Sequence, residues 1–357
     1  MKRNWLKIAV GLGELPESAE ELYAFINFAE REHIMAQVAH RHMTETDGKL
    51  FELFQNAVIR ADYDTRMLQF EANRIERALL GYEVCPILLK GGSYVVTEHR
   101  ASDGRRVSDL DIMVVENKLE LVEQALTLAG WQGDETTNND YDQAYYREWM
   151  HELPPMRHQR RRTLIDVHHR LTPKTARVQI AHEKMIKAAV NIEGRNLCTF
   201  TPIDRFLHAS YHVFYDGELD TPARSLIEIY YLFDALTRDE REQLSERAKT
   251  VGAQRALFVS LIMLERYFDH PDARIVIGQL QVSSDVKIPA SVMILTKVMN
   301  ARIDEGTFCR FAKLWLYLRG HWLRMPFFML LKHLVTKAFR KPEKKLPKDF
   351  LDNNLFG

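Results

Sequence analysis

The amino-acid sequence predicts an α+β fold, a small mixed sheet set between a helical N-terminal arm and a helical C-terminal domain. Two observations carry that prediction. Apolar side chains recur at helical spacing over residues 17–80 and again from about residue 176, whereas residues 84–168 hold apolar runs too short for helices. With 357 residues, 46% of them hydrophobic, the chain can bury a sizeable core in two domains or one elaborated domain.

The elements follow in order. Ser18, with Glu21 three residues later, has the form of a capping box, and Leu22, Phe25, Ile26 and Ala29 then mark one buried helix face. A second helix spans about 50–80, with Phe54, Val58, Met67, Ile75 and Leu79 among its apolar positions and Gly81 at its end. Residues 84–89 and 110–115 are strand-length apolar runs, and 119–129 is a helix closed by Gly130. Residues 144–149 and 163–168 alternate with period two and read as further strands. Pro173 and Pro202 mark joints. The expected division is an arm at 1–83, an α/β core at 84–172 and a helical domain at 173–357.

Charge and cysteine content narrow the setting. Lys plus Arg and Asp plus Glu both number 49, so no global charge draws the chain to nucleic acid or acidic membrane. The three cysteines, Cys85, Cys198 and Cys309, are odd in number and widely spaced, and read as packing residues of a reducing compartment. The N-terminus lacks the apolar stretch of a signal peptide, and no apolar run reaches the ~18–20 residues that cross a bilayer. A cytoplasmic protein is therefore expected. Residues 310–348 hold eleven Lys or Arg and one acid, Glu343, interleaved with Phe311, Trp315, Trp322, Phe327, Phe328 and Phe339. They suit a helix packed on the domain with snorkelling basic ends, or a segment lying peripherally on the inner face of the membrane.

The chemistry concentrates at residues 88–115. On a strand, Asp109 and Asp111 project to one face, a rigid oxygen pair that suits a hard cation such as magnesium. Lys90-Gly91-Gly92-Ser93 directly follows the first apolar run. Its glycines allow a phosphate close to the backbone, Ser93 adds a donor, and Lys90, Arg105 and Arg106 can neutralise phosphate charge. Asp166, on the strand 163–168, completes a three-carboxylate set if that strand neighbours the first.

The run Lys90-Gly91-Gly92-Ser93, then Arg106, Ser108-Asp109-Leu110-Asp111-Ile112 and the later Ile165-Asp166-Val167-His168, resembles the uncharacterised bacterial nucleotidyltransferase family of the polymerase-beta-like superfamily. The strong part of the likeness covers about residues 67–170. It implies a nucleotidyltransferase-fold core and transfer of a nucleoside monophosphate from a nucleoside triphosphate such as ATP, dependent on Mg2+ (or Mn2+). The acceptor would be a hydroxyl on a small molecule or protein. Asp109, Asp111 and Asp166 would bind metal and act in catalysis; Lys90, Gly91, Gly92, Ser93, Arg106 and Ser108 would bind the nucleotide. The functional glycine pair is Gly91-Gly92 or Gly92-Ser93, and Asp134, Asp140 and Asp142 compete with Asp166. Two other classes stay open: a toxin-like or tRNA-modifying enzyme with an RNA acceptor, which the neutral charge disfavours, and a non-enzymatic nucleotide-binding module, which the intact acids disfavour.

Other polar clusters read more plainly. His151, His158, His168 and His169 show no standard zinc spacing, and His168 reads as a partner of Asp166. The basic run 157–162 reads first as a solvated loop, with a phosphate or acceptor contact as the lesser reading. Arg224, Glu228 and Tyr231 read first as a surface helix face with an ion pair, and the resemblance implies a nucleotide-binding role as the lesser one.

Overall fold

The computed structural model describes residues 2–133, 146–216, 221–284, 289–304 and 308–324. Helices Lys2–Ala9 (α1), Ala19–Arg31 (α2), Met35–His42 (α3) and Gly48–Ala78 (α4) form the N-terminal arm. Ser18 caps α2 as its sequence implies, accepting the Glu21 N–H at 3.2 Å. Past the end of α4, Gly81 turns the chain with φ +87°, a left-handed conformation that glycine adopts without strain.

Among the described residues, seven strands build one mixed sheet. They are Ile87–Leu88 (β1), Asp109–Met113 (β2), Trp131–Gly133 (β3), Met156–His158 (β4), Leu164–His168 (β5), Val190–Asn191 (β6) and Cys198–Thr199 (β7), in the order β3-β4-β5-β2-β1-β7-β6. Lys90–Val96 (α5) follows β1 directly, Leu119–Leu128 (α6) follows β2, and His182–Ala188 (α7) precedes β6. The described residues beyond 201 form Pro202–Tyr211 (α8), a π turn at His212–Asp216, Pro222–Asp234 (α9), Arg238–Val251 (α10), Gln254–Phe268 (α11), Pro271–Ser284 (α12), Ala290–Ile303 (α13) and Cys309–Arg324 (α14).

Strand β2 is central, antiparallel to β1 and parallel to β5. One sheet face presents Leu88, Leu110, Ile112, Ile165 and Val167 to a core shared with Ala72 and Ile75 of α4 and with Val122 and Leu126 of α6. On the other side, Ile87, Leu89 and Met113 join a second core to which both the N-terminal and the C-terminal helices contribute. The alternation along β2 and β5 thus commits one face to packing and frees the other for polar groups.

Several sequence expectations are corrected here. The run 84–89 yields a strand of only two residues. Pro86 has no N–H to donate to a ladder, and α5 begins at Lys90. Residues 146–149 form a helical turn instead of a strand, and 144–145 fall outside the described residues. The neighbour position on β5 is taken by β4 and by the single bridge Glu152↔His168. β6 and β7 join the sheet beyond residue 172, pairing through β1. That pairing sets Cys85 beside Cys198, and the two form a disulfide across a separation of 113 residues. The reading of these cysteines as unpaired fails because sequence spacing does not reveal which strands are neighbours. Cysteine content then no longer argues for a reducing compartment. No helix among the described residues is long and apolar enough to cross a membrane. Residues 325–348 of the basic C-terminal segment lie outside the described residues.

The loop that precedes β2 is seated on α3 through Gly104. Its φ is +67°, and an added Cβ would overlap the Ala36 carbonyl and come within 2.6 Å of the Gln37 nitrogen. Backbone atoms cannot rotate aside. Gly104→Ala should therefore lower stability by at least about 2 kcal/mol, read as a lower urea midpoint with unchanged slope. A wild-type midpoint would show that the loop is not held against α3.

Candidate active site

The register of β2 and β5 builds the site. Asp109 lies opposite Leu164, Asp111 opposite Asp166 and Met113 opposite His168. Because Leu110, Ile112, Ile165 and Val167 point into the core beneath, Asp109, Asp111, Asp166 and His168 share the opposite face. Strand neighbours sit about 4.8 Å apart, so two carboxylates are held side by side by backbone geometry.

Counter-charges differ sharply between them. Lys90 Nζ lies 3.0 Å from Asp111 Oδ1, and His168 Nε2 lies 2.9 Å from the same oxygen. Burial alone would raise the Asp111 pKa, but the Lys90 and His168 charges hold it well below the usual carboxylate range. Burial raises Asp109, and neighbouring Asp111 adds to the effect. Asp166 is pushed up to about 7 by burial, and then by Asp111, Glu152 and Asp109. Its Oδ1 is buried and has no hydrogen-bond partner among the described residues. For Lys90 and His168 burial favours the neutral form, and the adjacent carboxylates more than reverse it.

The glycines serve close packing. A Cβ on Gly91 would stand 2.9 Å from Cζ of Arg105 and closer still to Nη1, and one on Gly92 would strike Leu110. The buried Arg105 guanidinium lies against Gly91 and donates through Nε to Glu228 at 2.8 Å; Arg224 Nε reaches the same carboxylate oxygen at 3.3 Å. Lys90, Tyr94, Arg105, His212, Arg224 and Glu228 line a cleft of about 600 Å³ on this side. Arg224 and Glu228 are half-buried and Tyr231 is buried, its hydroxyl accepting from Arg41 at 3.0 Å. The surface face expected for these three residues of α9 is instead an interior one.

Other predicted positions take other partners. Arg106, largely exposed, pairs with Asp64 of α4. The Ser93 hydroxyl is buried 2.6 Å from the Thr199 hydroxyl. Ser108 donates to Asp109 Oδ1 at 3.3 Å, and both residues line a second cleft of about 350 Å³ against α4. Within the basic run, Gln159, Arg160 and Arg162 are exposed, whereas Arg161 makes two hydrogen bonds to Glu71, at 2.6 and 2.8 Å, stacks on Trp131 and ties the β4–β5 turn to α4. Asp134, Asp140 and Asp142 lie outside the described residues.

One site residue, Glu152, escaped the sequence reading, and His151 was set aside there on its spacing. Glu152 Oε2 lies 3.4 Å from His168 Nδ1 and 3.9 Å from His151 Nε2. The Glu152↔His168 bridge and the backbone hydrogen bonds beside it bring Glu152 and His151 to the aspartates, and no periodicity announces an isolated bridge.

A family model described as "Uncharacterised nucleotidyltransferase" matches residues 18–269, which include both strands and the cleft. No curated protein and no solved structure matches the chain.

Asp166 supplies a test on the metal-free protein. Its folded-state pKa of about 7 stands above the ordinary 3.8, so the folded state holds the proton more tightly than the unfolded state does. Stability is then lost as pH rises through that interval, and at acid pH both states are protonated. With EDTA present, Asp166→Asn should raise stability by roughly 1–3 kcal/mol at pH 8, with the gain vanishing towards pH 4. A loss of stability at pH 8 would contradict the clustered-carboxylate geometry.

Proposed function

The chain belongs to the uncharacterised nucleotidyltransferase family, and we propose that it moves a nucleoside monophosphate from a nucleoside triphosphate to a hydroxyl on a small molecule or protein. The observation that carries this reading is the in-register pairing of Asp111 with Asp166, with Asp109 on the same face. Three carboxylates packed this closely, one with a buried oxygen that has no hydrogen-bond partner among the described residues, form a donor set short of positive charge. All-oxygen donors fit Mg2+ or Mn2+, which leave coordination positions for phosphates. When bound, such ions neutralise phosphate charge and acidify the attacking hydroxyl.

Residue roles follow from position. Asp109 and Asp111 would hold the metal ions, and Asp166 would hold the one beside the acceptor. Lys90, Arg105 and Arg224 supply the positive charge of the cleft, with Glu228 keeping the two guanidiniums in place. Gly91 leaves the room that Arg105 occupies, and Ser108 stands beside Asp109. Arg105 takes the part expected of Arg106, while Ser93 and Arg106 stay with Thr199 and Asp64. In the reaction the acceptor oxygen bonds to the α-phosphorus, and the bond from that phosphorus to the oxygen bridging to the β-phosphate breaks. Pyrophosphate leaves, and Asp166 takes the acceptor proton.

Magnesium together with a nucleoside triphosphate should raise the melting temperature of the wild-type protein. Combining Asp109→Asn with Asp111→Asn should abolish that shift in a protein that still folds. Asp166→Ala should lower turnover by about 100-fold or more while changing triphosphate affinity only a few-fold. A double variant that responds to magnesium triphosphate as the wild type does would overturn the assignment.

A further inference from the structure

His151, Glu152 and His168 are far from any standard metal-ligand spacing, yet the fold closes them on one another. The Glu152↔His168 bridge lays the chain at 151–152 along the end of β5. His151 O accepts from the backbone N–H groups of His169 and Arg170 at 3.0 and 3.1 Å, and Leu153 N–H donates to Val167 O at 2.9 Å. The backbone carrying two of the three groups is therefore fixed to the strand carrying the third. One ligand atom from each residue lies within 4.8 Å of the others. His151 and His168 are only 7% and 4% exposed, and their rings lie 5.3 Å apart.

His168 links this cluster to the aspartates. Its Nε2 is 2.9 Å from Asp111, while its buried Nδ1 faces Glu152 and makes no hydrogen bond among the described residues. A divalent ion displaces the Nδ1 proton of the charged imidazole, and the Nε2–H bond to Asp111 then keeps the tautomer whose Nδ1 lone pair faces the ion. That is how metal-binding histidines are oriented. Two imidazole nitrogens and one carboxylate oxygen form a ligand set for borderline divalent ions, zinc foremost, whereas magnesium prefers oxygen alone.

We propose that His151 Nε2, Glu152 Oε2 and His168 Nδ1 form a zinc-class divalent metal site, distinct from the three aspartates and joined to them through the His168–Asp111 hydrogen bond. Metal binding there holds His168 as an Nε2–H donor and so fixes the orientation of Asp111. Only this consequence for Asp111 rests on the nucleotidyl-transfer reading; the binding itself does not.

The test uses the full chain, stripped with chelator and titrated with Zn2+ against a competing chromophoric chelator. The wild type should take up one tightly held equivalent. His151→Ala and the near-isosteric Glu152→Gln should each weaken zinc binding by at least about 100-fold. Asp109→Asn, which disables the proposed transfer site but touches none of these ligands, should keep it. Zinc-edge X-ray absorption on the wild type should show two imidazole nitrogens in the first shell, a readout that stands even if His151→Ala fails to fold. No bound zinc, a shell of oxygen alone, or zinc lost in Asp109→Asn but kept in Glu152→Gln would overturn the proposal. Loss of the magnesium-triphosphate response with zinc binding intact would count against the transfer reading alone.

Discussion

The parallel register between β2 and β5 is the constraint on which the rest of the molecule depends. It places Asp111 against Asp166 at strand spacing, a juxtaposition that burial and like charge both oppose. What enforces it lies on the other side of the sheet. Leu110, Ile112, Ile165 and Val167 are all buried against α4 and α6, and a slip of one residue in either strand would turn its two apolar residues towards the polar face and its acids into the core. Burying one such side chain is worth about 1.5–3 kcal/mol, so the two of either strand, together about 3–6 kcal/mol, outweigh the repulsion of a carboxylate pair that can also hold a proton. The acids are close because the apolar residues between them cannot be elsewhere.

Around this pair the positive groups come from three separate pieces of chain. Lys90 stands at the start of α5, Arg105 in the loop seated on α3 by Gly104, and Arg224 on α9. Glu228 joins the last two, so the loop before β2 and the C-terminal helices are tied at the cleft. Such a tie is weak evidence for stability, since desolvating three charges consumes much of what their attraction supplies. It makes better sense as orientation, because it holds two guanidiniums on one side of the acids. The same logic applies to His168, which is held between Asp111 and Glu152.

Most of the acidic face was legible in the sequence. Asp109 and Asp111 are two apart on an apolar strand, and Asp166 sits inside a second strand of the same character, so period two alone puts each on a polar face. Neighbourhood was not legible. That β5 lies beside β2, and β7 beside β1, is a property of the sheet, and with it came the Cys85–Cys198 pair and the Glu152 contact that spacing could not supply. β3, β4, β6 and β7 are two or three residues long, below the length at which alternation can be recognised. Arg105 and Arg106 are adjacent arginines, and only the seating of Gly104 on α3 decides which one faces Gly91. On α9 the i, i+4, i+7 pattern of polar and aromatic groups was correct as a face, but its direction depended on Arg41 and Arg105 arriving from distant parts of the chain.

Nucleotidyl transfer at this site requires that the three aspartates gather metal and nucleotide at one place. A crystal of the protein with Mn2+ and a non-hydrolysable nucleoside triphosphate, measured at a wavelength where manganese scatters anomalously, asks this directly. The expected result is anomalous density in inner-sphere contact with Asp109 and Asp111, with Asp166 adjoining it and the phosphates running towards Lys90 and Arg105. Nucleotide and manganese bound away from these carboxylates, with Lys90 still paired to Asp111, would contradict it.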